Sequence, residues 1–405
     1  MSHVLTLNAG SSSLKFGYFQ LQGEGAEPEA RIVGLVERIG PGERAHMRAK
    51  GPDGSVLIDR ESGRNHVPDH ATALARVVDF LREQRPEARL EAVGHRIVHG
   101  GPDFDRPTEL TPKVRARLAE FEPLAPLHQP HNLSGVRAAL EIFPDATQLA
   151  CFDTAFHRHH PWVNDTFAIP RRFYDQGVRC YGFHGLSYEY ISSKLAEIAP
   201  HLHMGRTIVA HLGNGASMCG LMGGRSVASS MGFTALDGLP MGTRCGHLDP
   251  GVLLYMLQNE NMTPDEIQHV LYNESGLLGL SELSNDMRTL EAAAKENAHA
   301  REAISYFVFR IRRELGALAS ALGGVSTFIF CGGIGENSVQ IREKVCEGMG
   351  WLGMELDEGR NLRSERIIST DFSRVRILVI PTNEELVIAR AARDMLAARE
   401  EKETA

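Results

Sequence analysis

The stretch VLTLNAGSSSLKFGYF, residues 4–19, limits the fold more than any other. Val4, Leu5 and Leu7 read as a short strand that turns polar at Asn8. Gly10 then opens a run of three serines, Ser11, Ser12 and Ser13. Apolar character resumes at Leu14, Phe16, Tyr18 and Phe19, with Lys15 among them. The spacing predicts a β-hairpin whose tip carries small residues, hydroxyls, an amide and one positive charge. A bare glycine lets backbone N–H groups approach phosphate oxygens, so such a tip suits an anion. An ordinary tight turn uses the same residue types. The pattern returns at 207–227, TIVAHLGNGASMCGLMGGRSV, where an apolar strand ends in GNGAS and a second strand follows. The likeness is one of pattern, not of identity. Two such hairpins far apart predict two related α/β domains facing a cleft, with a boundary near residue 150. A length of 405 residues leaves room for two cores.

Between the hairpins, 31–59 reads as short strands separated by Gly34, Gly40, Gly42, Gly51 and Gly54. Ala71, Leu74, Val77, Val78 and Leu81 have helical spacing, which predicts a helix over 70–83. AVGHRIVHGG, 92–101, reads as a buried strand running into a glycine turn, with Arg96 in its middle. An arginine there needs an anion or a carboxylate beside it, so a structural salt bridge and a substrate site both fit. Residues 111–121 and 132–143 read as helices. The proline-rich PLAPLHQPHN between them places His128 and His131 in a loop. LACFDTAF, 149–156, is an apolar strand interrupted by Asp153, an unusual place for a carboxylate. In HRHHP, His157, His159 and His160 invite a metal. No spaced cysteine or acid completes the set, so a polar loop is expected.

In the second half, SMGFTALDGLPMGTRCGHLDP, 230–250, has no regular period and reads as one long loop holding Arg244. Thr263-Pro264-Asp265-Glu266 is a capping box that starts a helix. Ile304, Phe307, Ile311, Leu315, Leu318 and Leu322 form one stripe, which predicts an amphipathic helix over 302–322. The buried strand 326–330 ends in CGGIGENS, whose glycines read as a nucleotide-binding turn before a helix over 339–347. VRILVIP, 375–381, is a last strand. It leads into a terminal helix with Glu384 and Glu385 in its first turn. Acids there either complement the helix dipole or hold magnesium.

Charge and thiols narrow the function. A net charge of −8 argues against a general nucleic-acid surface. No apolar run approaches the ~20 residues of a membrane span. The opening MSHVLTLNAG lacks the basic and apolar regions of a signal peptide. Six scattered cysteines form no C-x-x-C pair and read as reduced, mostly buried thiols of a cytoplasmic protein. The remaining inventory is two phosphate-type hairpins, a third glycine turn, Arg96, Arg244, Asp153, and His184 in YGFHGLS. Phosphoryl transfer needs such groups: positive charge neutralises the moving phosphoryl, Mg²⁺ bridges phosphates, and positioning supplies most of the rate. Neither a Walker A sequence nor a G-x-S-x-G elbow is present.

Taken in order, NAGSSSLKF, VGHRIVHGG, PLHQPHN, FDTAFH, YGFHGLS, HLGNGAS, SMGFTALDGLPMGTR, SNDMR, GGIGEN and PTNEEL resemble the acetate kinases. That family lies within the acetate and sugar kinase/Hsp70/actin superfamily. The resemblance implies an α/β fold of two duplicated ribonuclease H-like (actin-like ATPase) domains flanking an active-site cleft. Residues 1–150, joined by the C-terminal helix of about 384–405, would be one domain. Residues 151–383 would be the other, with nucleotide binding and dimerisation. It implies ATP + acetate ⇌ ADP + acetyl phosphate by direct in-line transfer, and a homodimer with no nucleic-acid or membrane partner. It also implies Mg²⁺, for which Mn²⁺ can substitute. Residue by residue, Asn8 and Glu384 match the family's magnesium positions, and Ser11, Ser13 and Lys15 match ATP contacts. Arg96 matches the substrate-binding arginine and Asp153 the catalytic carboxylate. His184 and Arg244 match the transition-state stabilisers. His211, Leu212, Gly213, Asn214 and Gly215 match the nucleotide phosphate loop. Asp286, Met287, Arg288, Gly333, Ile334, Gly335, Glu336 and Asn337 match further nucleotide contacts. Val98, Leu127 and Phe183 match the acyl pocket.

Two positions depart from the family pattern. The usual SMGFTPLEGL is SMGFTALDGL here, so the proline near the acyl pocket is Ala235. One methylene in an apolar pocket is worth only about 1–3 kcal/mol of discrimination, so propionate is expected to be used comparatively well. The usual acid or amide after MGTRxG is His247, read either as a surface histidine or as a ring titrating near neutrality. Acetate is already ionised near pH 7, so Asp153 is expected to orient substrate or metal rather than take a proton. On the same architecture, the alternatives are a propionate or short-chain fatty acid kinase, and a nucleotide-dependent binding protein of the actin or Hsp70 kind.

Overall fold

A strand buried along most of its length must be covered on both faces and hydrogen-bonded on both edges. The first hairpin begins with such a strand, and both sheets are built outward from one. The structure, a computed structural model, describes residues 2–10, 12–23, 25–85, 89–126 and 128–404, excepting the side chains of 403 and 404. In chain order the strands of the first sheet are β1 (His3–Ala9), β2 (Ser13–Gln20), β3 (Glu29–Glu37), β4 (His46–Lys50) and β5 (Val56–Glu61). They continue with β6 (Leu90–Ile97), β7 (Thr108–Glu109) and β8 (Thr147–Phe152). The second sheet holds β9 (Arg206–Leu212), β10 (Ala216–Met222), β11 (Arg225–Ser229), β12 (Thr327–Cys331) and β13 (Arg376–Val379).

The first sheet has the order β5-β4-β3-β2-β1-β6-β8-β7, the second β11-β10-β9-β12-β13. The second matches β3-β2-β1-β6-β8 strand for strand. In each, the opening strand pairs antiparallel with its hairpin partner and parallel with the next strand on the other side. The likeness between the two hairpins is therefore a likeness of topology.

The chain divides into two compact units, Met1–Ala155 with Asn383–Ala405, and Phe156–Thr382. A boundary at 150 falls inside β8, whose ladder with β6 runs on to Phe152, so the break comes after Ala155 and Asp153 stays with the first unit. In that unit Leu5, Leu7, Phe16 and Tyr18 pack with Leu74, Val77, Val78 and Leu81 of the helix His70–Gln84. Asp69 caps this helix by accepting from Thr72 N at 2.7 Å. The terminal helix Glu384–Thr404 packs on β6 at Gly94, where a Cβ would stand 2.3 Å from Ile388 Cγ2. In the second unit the helix Ala298–Leu322 buries the expected stripe and ends at Gly323, whose φ of 67° suits the left-handed cap.

Four expectations change in detail. His131 lies inside the helix Gln129–Ile142, which starts early because Pro130 suits a first turn. Asp153 sits one residue past β8, so it ends the apolar strand rather than interrupting it. GGIGEN is itself a short helix, Gly332–Asn337, and not a bare turn. The long amphipathic helix starts at Ala298, four residues ahead of 302, because Asn297 caps it by accepting from Ala300 N at 3.0 Å. All six cysteines are free, and burial pushes the Cys219 thiol up to about 12. Among the described residues no helix is long and apolar enough to cross a membrane.

Each unit holds a neutral histidine in its interior. His95 Nε2 meets Gln148 Oε1 at 2.8 Å, and His157 meets Ser226 Oγ through Nδ1 at 2.7 Å and Phe183 O through Nε2 at 3.0 Å. Burial lowers both rings from 6.5 to about 4. A depressed folded pKa means stability that is complete above pH 6.5 and is lost as pH falls toward 4. At 1.36 kcal/mol per unit, each ring accounts for about 3 kcal/mol of that loss. The thermal midpoint should therefore drop steeply between about pH 6.5 and 4.5, and less steeply in His157→Gln protein, as calorimetry would measure. Equal slopes would remove His157 from the account.

Candidate active site

In the first unit, neighbouring strand ends supply the polar groups. β1, β6 and β8 lie side by side, and Asn8, Arg96 and Asp153 stand at or just past their ends. Glu384 opens the terminal helix beside them. Arg96 grips Asp153 with two bonds, Nε to Oδ1 at 2.8 Å and Nη2 to Oδ2 at 2.5 Å. Its Nη1 donates to Asn8 Oδ1 at 2.9 Å, and Asn8 Nδ2 donates to Glu384 Oε2 at 2.9 Å. Burial opposes the Arg96 charge; Asp153 and then Glu384 outweigh it and hold its pKa above the ordinary arginine value. The salt bridge open to Arg96 from sequence is thus formed, and its fork geometry is the one that recognises carboxylates.

Asn132 was missed as a positioning residue. It accepts from Val98 N at 3.0 Å and donates to Ala9 O at 3.0 Å, tying the end of β1 to the turn after β6. Lys15 is exposed on β2, in register with Asn8. Ser13 closes the hairpin tip, its carbonyl accepting from Gly10 N at 2.8 Å. Ser11 and Leu127 lie outside the described residues.

Glu385 Oε1 is buried with no hydrogen-bond partner among the described residues. Burial raises the Glu385 pKa, against the pull of the Lys15 charge. The Glu384 carboxylate and the Asn8 amide, joined by the Asn8 Nδ2–Glu384 Oε2 bond, offer hard oxygen donors, the type Mg²⁺ takes. The residues present fit such an ion.

In the second unit the hairpin β9–β10 carries Gly213, Asn214 and Gly215 at its tip. Gly213 N donates to Gly215 O at 3.0 Å, closing the turn. A Cβ on Gly215 would stand 3.1 Å from His184 Nε2 and 3.2 Å from Arg244 Nη2, so both groups converge over that glycine. Arg244 is held from behind, its Nη1 donating to Ala235 O at 2.7 Å. The loop around it is pinned by Met241 N to Arg244 O at 3.0 Å and by Ser275 N to Thr243 O at 3.0 Å. His184 stacks on His211 with ring centres 4.4 Å apart. His211 Nδ1 in turn meets Ser187 Oγ at 2.8 Å.

Three segments distant in sequence line one cavity of about 520 Å³: Gly213 and Asn214; Asp286, Met287 and Arg288; and Gly333, Ile334 and Asn337. Glu291 and Ser338 also line it, and Ser338 Oγ donates to Glu291 Oε1. Ser338 closes CGGIGENS and caps the helix Val339–Cys346, whereas Glu291 was not legible, because it resembles an ordinary helix-surface residue. Leu212, Gly335 and Glu336 stand elsewhere. Leu212 is wholly buried in β9, and Gly335 is buried within its short helix. Glu336 Oε1 accepts from Gly332 N at 2.8 Å and Thr382 N at 3.1 Å, so it braces the glycine helix. Phe183 is buried and Ala235 half-buried in this unit, and Val98 is buried in the first. His247 is a surface residue 3.7 Å from Asp237.

A model described as the acetokinase family matches residues 3–390. The acetate kinase of Methylocella silvestris is 54% identical over 402 residues, covering 98% of this chain and 99% of that protein. Among solved structures, acetate kinase from Porphyromonas gingivalis matches with a TM-score of 0.84 at 37% identity, over 98% of this chain and 100% of its own. A propionate kinase from Francisella tularensis subsp. tularensis matches with a TM-score of 0.87 at 36% identity, over 96% and 99% of the two chains.

Proposed function

The chain belongs to the acetokinase family and has the duplicated actin-like α/β fold, and on that premise we propose that it transfers the γ-phosphoryl group of ATP to acetate, reversibly. The products are ADP and acetyl phosphate. The observation that most supports this reading is the cavity lined by all three glycine- and aspartate-bearing segments at 213–214, 286–288 and 333–337. It gives the nucleotide a seat beside the loop over which His184 and Arg244 converge.

Arg96 receives the acetate carboxylate, and Asp153 holds its guanidinium in place. No base is required, because acetate enters ionised. As charge spreads over the oxygens of the transferring group, His184 Nε2 and Arg244 Nη2 donate to them. Backbone N–H groups at the tip of the β9–β10 hairpin, at Asn214 and Gly215, steady the phosphates. Glu384 and Asn8 would hold Mg²⁺, or Mn²⁺, which supplies charge neutralisation between phosphate groups.

A homodimer is part of the same reading. The helix Pro250–Gln258, PGVLLYMLQ, has no buried residue, and Leu254, Tyr255 and Leu257 are 54%, 54% and 41% exposed. So apolar a helix calls for a cover. Sedimentation should give about twice the 44.6 kDa chain mass, and a monomer at micromolar concentration would reject the dimer.

Ala235 favours a second reading, a kinase that takes propionate nearly as well. Hydroxylamine trapping of acyl phosphate from ATP, Mg²⁺ and acetate, propionate or butyrate tests both. Acetyl hydroxamate is expected, with propionate kcat/KM within about tenfold of acetate and a wider gap in Ala235→Pro protein. A propionate value far below that removes the role of Ala235. No product from any acid, by folded protein that binds ATP, overturns the kinase reading in favour of a nucleotide-dependent binding protein.

A further inference from the structure

Behind His184 runs a short buried chain of hydroxyls. His184 Nδ1 is 2.8 Å from Ser217 Oγ, and Ser217 Oγ is 2.5 Å from the Tyr188 hydroxyl. Ser217 and Tyr188 are wholly buried. Tyr188 lies one helical turn beyond His184, its N–H donating to the His184 carbonyl at 3.1 Å. Ser217 comes from β10, just past the Gly213–Gly215 tip.

Two proton orders are open to this chain. In the first, Tyr188 donates to Ser217, Ser217 donates to Nδ1, and the ring proton sits on Nε2. In the second, Nδ1–H donates to Ser217, and either the phenolic proton or, where Tyr188 also donates to Ser217, the serine proton meets no acceptor in the chain. Among the described residues Ser217 is the one hydrogen-bond partner of the Tyr188 hydroxyl. A buried donor left without an acceptor is costly, and between Tyr188, Ser217 and Nδ1 the first order leaves none. Burial also holds the phenol well above its ordinary pKa, so it keeps the proton it must give.

The ring has little freedom to escape this arrangement. Its backbone is in the left-handed region at φ 57°, which a non-glycine residue adopts only when its surroundings impose it. Its face is stacked against His211. Its other nitrogen points over Gly215 beside Arg244 Nη2.

We propose that Tyr188 and Ser217 are positioning residues that fix His184 as the tautomer carrying its proton on Nε2, so that it meets the transferring phosphoryl as a donor. The wrong tautomer would turn a lone pair toward phosphoryl oxygens. The use of the donor rests on the kinase reading; the tautomer itself is a property of the protein without substrate.

Histidine-selective ¹⁵N labelling reads the tautomer directly, with His184 assigned from the signal lost in His184→Gln protein. In unsubstituted protein its Nε2 should carry the proton and Nδ1 should show the shift of an acceptor. Ser217→Ala should move the ring toward the Nδ1–H form and lower kcat by roughly 10- to 100-fold, the scale set by losing a group that orients a first-contact side chain. The KM for ATP should stay put. Ser217→Thr, which keeps a hydroxyl, should restore both signals, and Tyr188→Phe should give a mixed tautomer. The proposal is overturned if unsubstituted protein shows Nδ1–H, or if Ser217→Ala, folded by circular dichroism, leaves the tautomer unmoved. A tautomer that moves while kcat does not would uphold the relay and sink the use of His184 in transfer.

Discussion

Asp153→Asn protein should turn over acetate at least about 100-fold more slowly than the unsubstituted chain, with a raised KM for acetate. The reason lies in what Arg96 would lose. Two of its N–H groups end on Asp153, which is 1% exposed. Asparagine keeps the volume and one acceptor oxygen but removes the nearer countercharge, leaving Glu384 at 4.0 Å. Breaking a buried pair from one side costs up to about 3–5 kcal/mol, because the remaining charge loses its closest partner. At 1.36 kcal/mol per tenfold, a share of that falling on the transition state accounts for the expected loss. The rest appears as lower stability, so turnover and thermal midpoint belong in one experiment. Near-normal turnover would remove Asp153 from both the positioning and the catalytic account.

Arg244→Ala should be more damaging to kcat, by roughly 10³-fold, the lower end of what an arginine contributes to phosphoryl transfer. Its Nη1 is anchored on Ala235 O, which leaves Nη2 to face the Gly215 side. The charge acts on a group that becomes most polar in the transition state, so ATP affinity should change little. Arg244→Lys should recover only a small part, since an ammonium cannot hold the Ala235 carbonyl and a phosphoryl oxygen in one fork. Equilibrium binding of ATP beside initial rates separates the cases. A large loss of ATP binding with kcat intact would place Arg244 in nucleotide binding instead.

Much of the architecture was legible in the chain alone. The two hairpins announce themselves because apolar runs, glycine tips and hydroxyls are local signals, read within a dozen residues. The amphipathic stripe of the helix Ala298–Leu322 and the Thr263 capping box are local in the same sense. So are the motifs from NAGSSSLKF to PTNEEL, in which the residues placed at the site stand close together in sequence. Element edges were less clear. Pro130 extends one helix backward over His131, and Asp153 turns out to lie past its strand, because capping and ladder length depend on neighbours outside the window.

The partnerships were not legible. Arg96 and Asp153 are 57 residues apart, and Asn8 and Glu384 are 376 apart. They meet because the sheet order sets β1, β6 and β8 side by side and the last helix returns to β6 at Gly94. Ser217 closes HLGNGAS and Tyr188 follows YGFHGLS, yet neither motif signals their role, since a serine and a tyrosine order a histidine only when the fold buries them in line behind its ring. Residue type and spacing told which chemistry the chain could perform. Which atom faces which was decided by long-range strand pairing and by the cost of burying an unsatisfied polar group, and neither quantity exists until the chain is folded.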